Sequence, residues 1–224
     1  MAKIPNRDDL EAEVAGVFGR LSARQRKKLL DVLGDPPDFG KVPQSLWTES
    51  TAEMQAAWRP LFEKIYLEAA ERLMAQVPVG VDWALVNQGA AEWASRHTFD
   101  LSRAVNQTTQ ETLQKFFRGY FEQPVPLSEL RAKLSSLLGP IRADTIARTE
   151  ITRAAAQGEL ATANELEKQG VKMSKVWLTN RDELVCPICE PLDGTDEDEW
   201  SGEAPEGPPA HSRCRCSLAL EMVG

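Results

Sequence analysis

The chain has 224 residues, 42% of them hydrophobic and 27% charged, with a formal net charge of −8. That is enough for one large domain or two smaller ones of ordinary globular composition, and no apolar run approaches the roughly 20 residues a membrane-crossing helix needs. The acids Glu190, Asp193, Asp196, Glu197, Asp198, Glu199, Glu203 and Glu206 fall in one stretch without a Lys or Arg, so this loop carries the whole net charge. A nucleic-acid grip beside it would need a basic face and is disfavoured.

The first half of the chain reads as helices. Leu10, Val14, Val17, Phe18 and Leu21 recur at steps of three and four, which predicts an amphipathic helix over 8–21. Ser22 and Gln25 have capping-box spacing and predict either a second helix or a bent continuation to Gly34. The cluster Arg24, Arg26, Lys27 and Lys28 reads as a solvated helix face. Asp35-Pro-Pro-Asp ends the helix and the segment to Pro43 is a linker by composition. Gly34 to Lys41 has the wrong spacing for a phosphate-binding loop, and Val42 stands where a magnesium-binding hydroxyl would be needed.

A third helical pattern covers 51–77 through Met54, Trp58, Leu61, Phe62, Ile65, Ala69 and Leu73, with Pro60 expected to kink it or to mark a new start. Asp82 is a candidate cap for a helix reaching about Arg96, and His97 near its end suits the helix dipole better than catalysis. A further helix is expected over 101–121, a break at Gln123-Pro-Val-Pro, and a short helix from a Ser128 cap to Gly139. From Ile141 to Lys168, Ala147, Ile151, Ala154, Gly158 and Ala161 form a narrow stripe of mostly small residues, which lets another backbone approach closely. Gly170 reads as a helix stop, and 172–179 and 214–222 as two paired strands. The fold class is thus mainly α with a small C-terminal α+β lobe: a helical N-terminal region, a long helix, and a zinc-stapled small sheet.

All four cysteines and one of the two histidines lie in the last 40 residues, as Cys186-Pro-Ile-Cys189 and His211-Ser-Arg-Cys214-Arg-Cys216. A Cys-x-x-Cys turn puts two sulfurs on one side of a knuckle, and a Cys-x-Cys on extended chain points two sulfurs to one face. Four of these five side chains can close a tetrahedron on zinc, with Cys186 and Cys189 as one pair and Cys214 with either Cys216 or His211 as the other, four sulfurs being favoured slightly. Two disulfides are the competing reading, although the polar start Met1 to Asp9 carries no export signal and points to reduced thiols. So sulfur-rich a site is expected to be closed and structural, not catalytic. It would staple the lobe over 171–224, whose bulky apolar residues are few: Val176, Trp177, Leu178, Leu184, Ile188, Trp200, Leu218 and Leu220.

Ile146-Ala-Arg-Thr-Glu150, Val176-Trp-Leu-Thr179, Asp182-Glu-Leu-Val-Cys-Pro-Ile-Cys189, Leu192-Asp-Gly194 and Pro208-Pro-Ala-His-Ser-Arg-Cys-Arg-Cys216, in this order and spacing, resemble the phage Mu F-like minor head proteins, or phage head morphogenesis proteins. The resemblance covers roughly 128–222 and divides the chain into a helical region over 1–126, a surface for portal or coat, and a Mu F-like domain over 127–224. It implies a minor head protein of a tailed bacteriophage, inside the capsid or at the portal vertex and in the host cytoplasm during assembly, with a role in head assembly and DNA ejection. Portal, scaffold or major capsid protein are the implied partners, self-association is compatible with the amphipathic helices, and no membrane or enzymatic role is implied. In this resemblance Cys186, Cys189, His211, Cys214 and Cys216 take the metal-binding or structural positions, and Arg148, Thr149 and Glu150 the helix signature. The alternative is a zinc-stapled nucleic-acid-binding protein for packaging or ejection, using Arg213, Arg215 and the Arg24–Lys28 cluster.

Overall fold

A computed structural model of the chain describes residues 4–34, 37–122 and 127–223. The expected turn at Asp35-Pro36 and the break at 123–126 lie outside them. Six α-helices occur among the described residues, α1 (Arg7–Leu33), α2 (Gln44–Met74), α3 (Trp83–Glu122), α4 (Leu127–Leu137), α5 (Pro140–Lys168) and α6 (Glu197–Trp200), with two strands, β1 (Met173–Leu178) and β2 (Ser217–Met222). The fold is mainly helical with one small antiparallel sheet near the C-terminus, as its sequence pattern predicts.

Several element boundaries differ from expectation. Of the two readings at Ser22 the continuation is the one that forms and no new helix starts there: α1 runs through to Leu33, and Ser22 and Gln25 are both buried inside it. Gln25 spends its polarity on a partner far away in sequence, its Nε2 donating to Asn106 Oδ1 at 2.6 Å, so it caps nothing. Helix α2 begins seven residues earlier than the apolar pattern suggests, because Leu46 and Trp47 are core residues, and it continues through Pro60. The proline lacks the N–H that would bond the Ala56 carbonyl, a local loss that the flanking turns tolerate. The two helices expected over 83–96 and 101–121 are one helix. No Gly or Pro interrupts 97–101, and the hydroxyls of Thr98 and Ser102 donate back to the carbonyls of Ser95 and Phe99. His97 therefore sits in a helix interior, half-buried, and not at an end. Ser128 likewise lies within the first turn of α4, not before it.

Other signals read correctly. The Asp82 side chain accepts from the Ala84 N–H at 2.9 Å, an N-cap for α3. Gly170 has φ +89°, the left-handed conformation that ends a helix, and the Val171 N–H returns to the Leu166 carbonyl at 3.1 Å.

The chain packs as two units. One comprises residues 13–59 and 95–144. Its core joins Leu29 and Leu33 of α1, Leu46 and Trp47 of α2, Leu113 and Phe117 of α3, and Leu130, Leu134 and Leu138, whose spacing of four places one face of α4 inward. Phe18 stacks on Trp58 in the same unit and both are fully buried, whereas Phe99 is exposed. Two members of the basic cluster are engaged within it: Lys28 pairs with Glu53 and Glu49, and Arg26 donates to the Ser135 hydroxyl.

The other unit comprises residues 1–12, 60–94 and 145–224 and contains the cysteine cluster. The small-residue stripe has the expected use here. A Cβ on Gly158 would lie 2.2 Å from the Tyr66 carbonyl oxygen, so α5 touches the α2 backbone where glycine stands. Ala161, predicted on this stripe, is exposed, and the buried face continues through Thr162 and Ala163 instead. β1 pairs with β2 in the register Trp177 to Leu218 and Lys175 to Leu220, and these four residues form the buried face of the sheet. With Trp200, Leu192 and Ala204 they share a core with Leu73, Val77, Leu160, Ala163 and Leu166, so the sheet packs on α2 and α5. Lys175 reaches this face because Asn164, Glu167 and Glu197 receive its ammonium at 2.8–2.9 Å. Burial opposes its charge, but the bonds to Glu197 and Glu167 outweigh it and raise its pKa. Two residues predicted in the core of the lobe are outside it: Leu184 is 75% and Ile188 57% exposed.

Candidate metal centre

Three short segments meet beside the sheet. The first is the knuckle at 182–189, where the N–H groups of Cys189 and Glu190 both bond the Cys186 carbonyl at 3.0 Å, curling the chain so that the two cysteines face one way. The intervening Ile188 points outward, which explains its exposure. The second is the turn at 211–214, closed by the Cys214 N–H on the His211 carbonyl at 3.2 Å and by Arg213 at φ +64°. The third is the extended lead into β2, which carries Cys214 and Cys216, both buried, with half-buried Arg215 between them. Alternation on extended chain thus puts both sulfurs inward, though ahead of β2 and not within it.

The ligand atoms gather in two overlapping groups. Cys186, Cys189 and His211 form one and Cys189, Cys214 and Cys216 the other, each within 4.8 Å, with Cys189 common to both. His211 Nε2 lies 2.9 Å from Cys186 Sγ and 3.1 Å from Cys189 Sγ, and Cys189 Sγ lies 3.7 Å from Cys214 Sγ. All four cysteines are free thiols, so the disulfide reading has no counterpart here. His211 Nδ1 stands 2.7 Å from the Ser212 carbonyl. Only a protonated Nδ1 can make that bond, which turns the Nε2 lone pair towards the sulfurs, the arrangement a metal-binding imidazole requires.

The donor set fits a divalent ion. A cavity of about 30 Å³ is lined by all five side chains and is large enough to admit an ion. Its thiols cannot ionise independently. Hydrogen bonds from Cys189 and Cys216 pull the Cys214 thiol well below its ordinary value, while the bonds with Cys214 and Cys216 drive Cys189 strongly upward. Cys216 is pushed up, its bond with Cys189 opposed by Cys214 and by burial. A cluster that holds one thiolate at the expense of its neighbours accepts a dication readily, because the ion supplies the positive charge that further ionisation needs.

The surroundings are tied down by charge. Arg215 makes a two-pronged pair with Asp182 at 2.7 and 2.8 Å, joining the Cys-x-Cys arm to the knuckle and holding the Asp182 carboxyl below its ordinary value. Asp193 accepts from the Thr179 N–H and hydroxyl and from Arg181, closing the turn after β1. The helix signature on α5 faces the same loop: the Thr149 hydroxyl accepts the Arg213 N–H at 2.9 Å, and Thr152 lies 3.0 Å from the Cys214 carbonyl. Farther along α5 the contacts go to the acidic loop and not to the ligand segments: Arg153, paired with Glu150 in its own helix, also pairs with Glu206, and Gln157 donates to the Glu206 carbonyl. Thr152 and Gln157 were not singled out from sequence. Their helical spacing from Thr149 was the available signal.

Fold and site together define a helical protein whose C-terminal part clasps a Cys/His knuckle against a long small-residue helix. Residues 125–219, somewhat under half of the chain, match the family described as Phage Mu protein F like protein. No curated protein and no solved structure matches the chain. No helix among the described residues is long and apolar enough to cross a membrane.

Proposed function

We propose that the protein is a structural minor head component of a tailed bacteriophage, portal-associated on the capsid interior, that acts in head assembly and DNA ejection. The observation that carries this reading is the family match over 125–219, with the five Cys and His side chains of that segment gathered around one cavity. One zinc, held by four of Cys186, Cys189, His211, Cys214 and Cys216, is structural in this reading. The site is nearly all sulfur, its cavity is lined by no carboxylate among the described residues, and Asp182 of the knuckle is bound to Arg215. The division between a helical region over 1–126 and a Mu F-like domain over 127–224 is a division of role, since the packing units draw on both.

Partners are portal, scaffold or coat protein. A DNA-binding role draws little support, because Arg215 and Lys28 are committed to Asp182, Glu49 and Glu53. Quantitative mass spectrometry of procapsids, mature heads and emptied particles, with and without the gene, tests the proposal. Protein present in heads at low fixed copy number, and a head-assembly defect in its absence, is expected. Normal infectious heads made without it would overturn the reading, and salt-sensitive binding to DNA by the free protein would favour the nucleic-acid alternative.

A further inference from the structure

We infer that Arg7, in the first turn of α1 and outside the family-matched segment, is a positioning residue for the metal centre. The inference rests on the structural-metal reading of the cysteine cluster. Arg7 is drawn to one place by Glu11, whose carboxylate accepts its Nε–H at 2.7 Å and forms an ion pair with Arg148, 3.1 Å from its Nε. The fork of the guanidinium then faces Thr152 Oγ1 at 2.8 Å, the carbonyls of Cys214 and Arg215 at 3.4 Å each, and that of Arg148 at 3.5 Å. Thr152 alone cannot serve this group. Its hydroxyl has one proton and lies 3.0 Å from both the Arg148 and the Cys214 carbonyls. Arg7 supplies the missing donors and occupies the lone pair of Thr152, so the Cys214 and Arg215 carbonyls are held whichever way the hydroxyl turns.

The Cys-x-Cys arm is therefore gripped by its backbone from two sides, by Thr149 and Thr152 of α5 and by Arg7 of α1. Its own side chains remain for the metal and for Asp182. The two carbonyls belong to the peptide that follows Cys214 and the peptide that precedes Cys216, so holding them restrains one backbone plane at each ligand and, with it, where each sulfur stands. Groups that orient ligands in this way typically alter metal affinity by about 10–100-fold when removed.

The test uses the full chain. Cobalt(II) and zinc affinities are measured by chelator competition for wild type, Arg7→Met, Arg7→Lys, Thr152→Val and Arg153→Met, together with the cobalt absorption spectrum of each. Arg153→Met is the control: it removes one arginine from the same packing unit, at a residue with no bond to the Cys214 arm. The inference expects Arg7→Met and Thr152→Val to bind metal at least 10-fold more weakly with altered cobalt–thiolate bands, Arg7→Lys to recover part of the loss, and Arg153→Met to match wild type. A merely structural role would lower melting temperature without moving the spectrum. Wild-type affinity and spectrum in Arg7→Met, or equal losses in Arg7→Met and Arg153→Met, would overturn the inference while leaving the metal reading intact. Wild-type protein that takes up no metal would overturn both. Should Arg7→Met fail to fold, Arg7→Lys and Thr152→Val decide by the same affinities and spectra.

Discussion

Gly158→Ala and Gly19→Ala make the same chemical change in two helices and are expected to act in opposite directions. In an exposed helix interior, alanine is favoured over glycine by about 0.8–1 kcal/mol. Gly19 is exposed on α1, and a Cβ there meets nothing within 4 Å, so this gain should be realised. At Gly158 the same methyl group would stand 2.2 Å from the Tyr66 carbonyl oxygen, 2.9 Å from its carbon and 3.0 Å from its Cα. All three are backbone atoms. No rotamer change relieves the overlap, and α5 must move away from α2 by about 1 Å, loosening neighbouring contacts. Overpacking of this kind costs roughly 1–3 kcal/mol and sometimes more, which exceeds the propensity gain. For a chain of this size each kcal/mol moves the melting temperature by about 2–4 °C. Differential scanning calorimetry should therefore show a rise of about 2–4 °C for Gly19→Ala and a fall of several degrees for Gly158→Ala. A Gly158→Ala variant as stable as Gly19→Ala would refute the close contact that seats α5.

Three further outcomes follow from the same structure. Burial holds the Glu159 carboxyl up to about 7 despite Arg72 at 3.6 Å, so the folded protein retains a proton that the unfolded chain has lost; this stabilisation is complete below about pH 4.5 and lost as pH rises through 7. Glu159→Gln should flatten that part of the stability–pH curve, an effect on the order of 3 kcal/mol that denaturant titration at pH 5 and pH 8 would read. Leu184→Ser should change stability by no more than about 0.5 kcal/mol, since the leucine is 75% exposed, and a loss above about 2 kcal/mol would return it to the core. Cys186→Ser should weaken metal binding and raise hydrogen exchange in β1 and β2 while exchange around Leu29, Leu113 and Leu134, which lie in the other packing unit, stays near wild type.

The parts of this fold legible in sequence were those decided locally. Asp82 caps α3 through a bond two residues away, Gly170 stops α5 by its own φ, and the strands after it alternate in the way a half-buried pair must. The cysteine spacing likewise assembled the candidate site, because knuckle geometry is a property of four consecutive residues. What stayed hidden depended on partners distant in sequence. Ser22 and Gln25 look like a helix start, yet Gln25 is buried because Asn106 meets it. Lys175 occupies an inward strand position that its charge would forbid without Glu167 and Glu197. Leu184 and Ile188 are apolar and were assigned to the core, but a knuckle that turns its sulfurs inward turns Ile188 between them out, and Leu184 lies ahead of the first cysteine in an exposed turn, its N–H taken by Asp182. Arg7, more than 200 residues from Cys214, gave no sequence signal at all.

The metal itself is the most direct test. Elemental mass spectrometry of protein purified under reducing conditions, with thiol titration before and after chelation, should find one zinc per chain and four cysteines that react only once the chelator has removed it. Metal-free protein whose thiols react at once, or are already joined as disulfides, would contradict the centre on which this account of the C-terminal lobe depends.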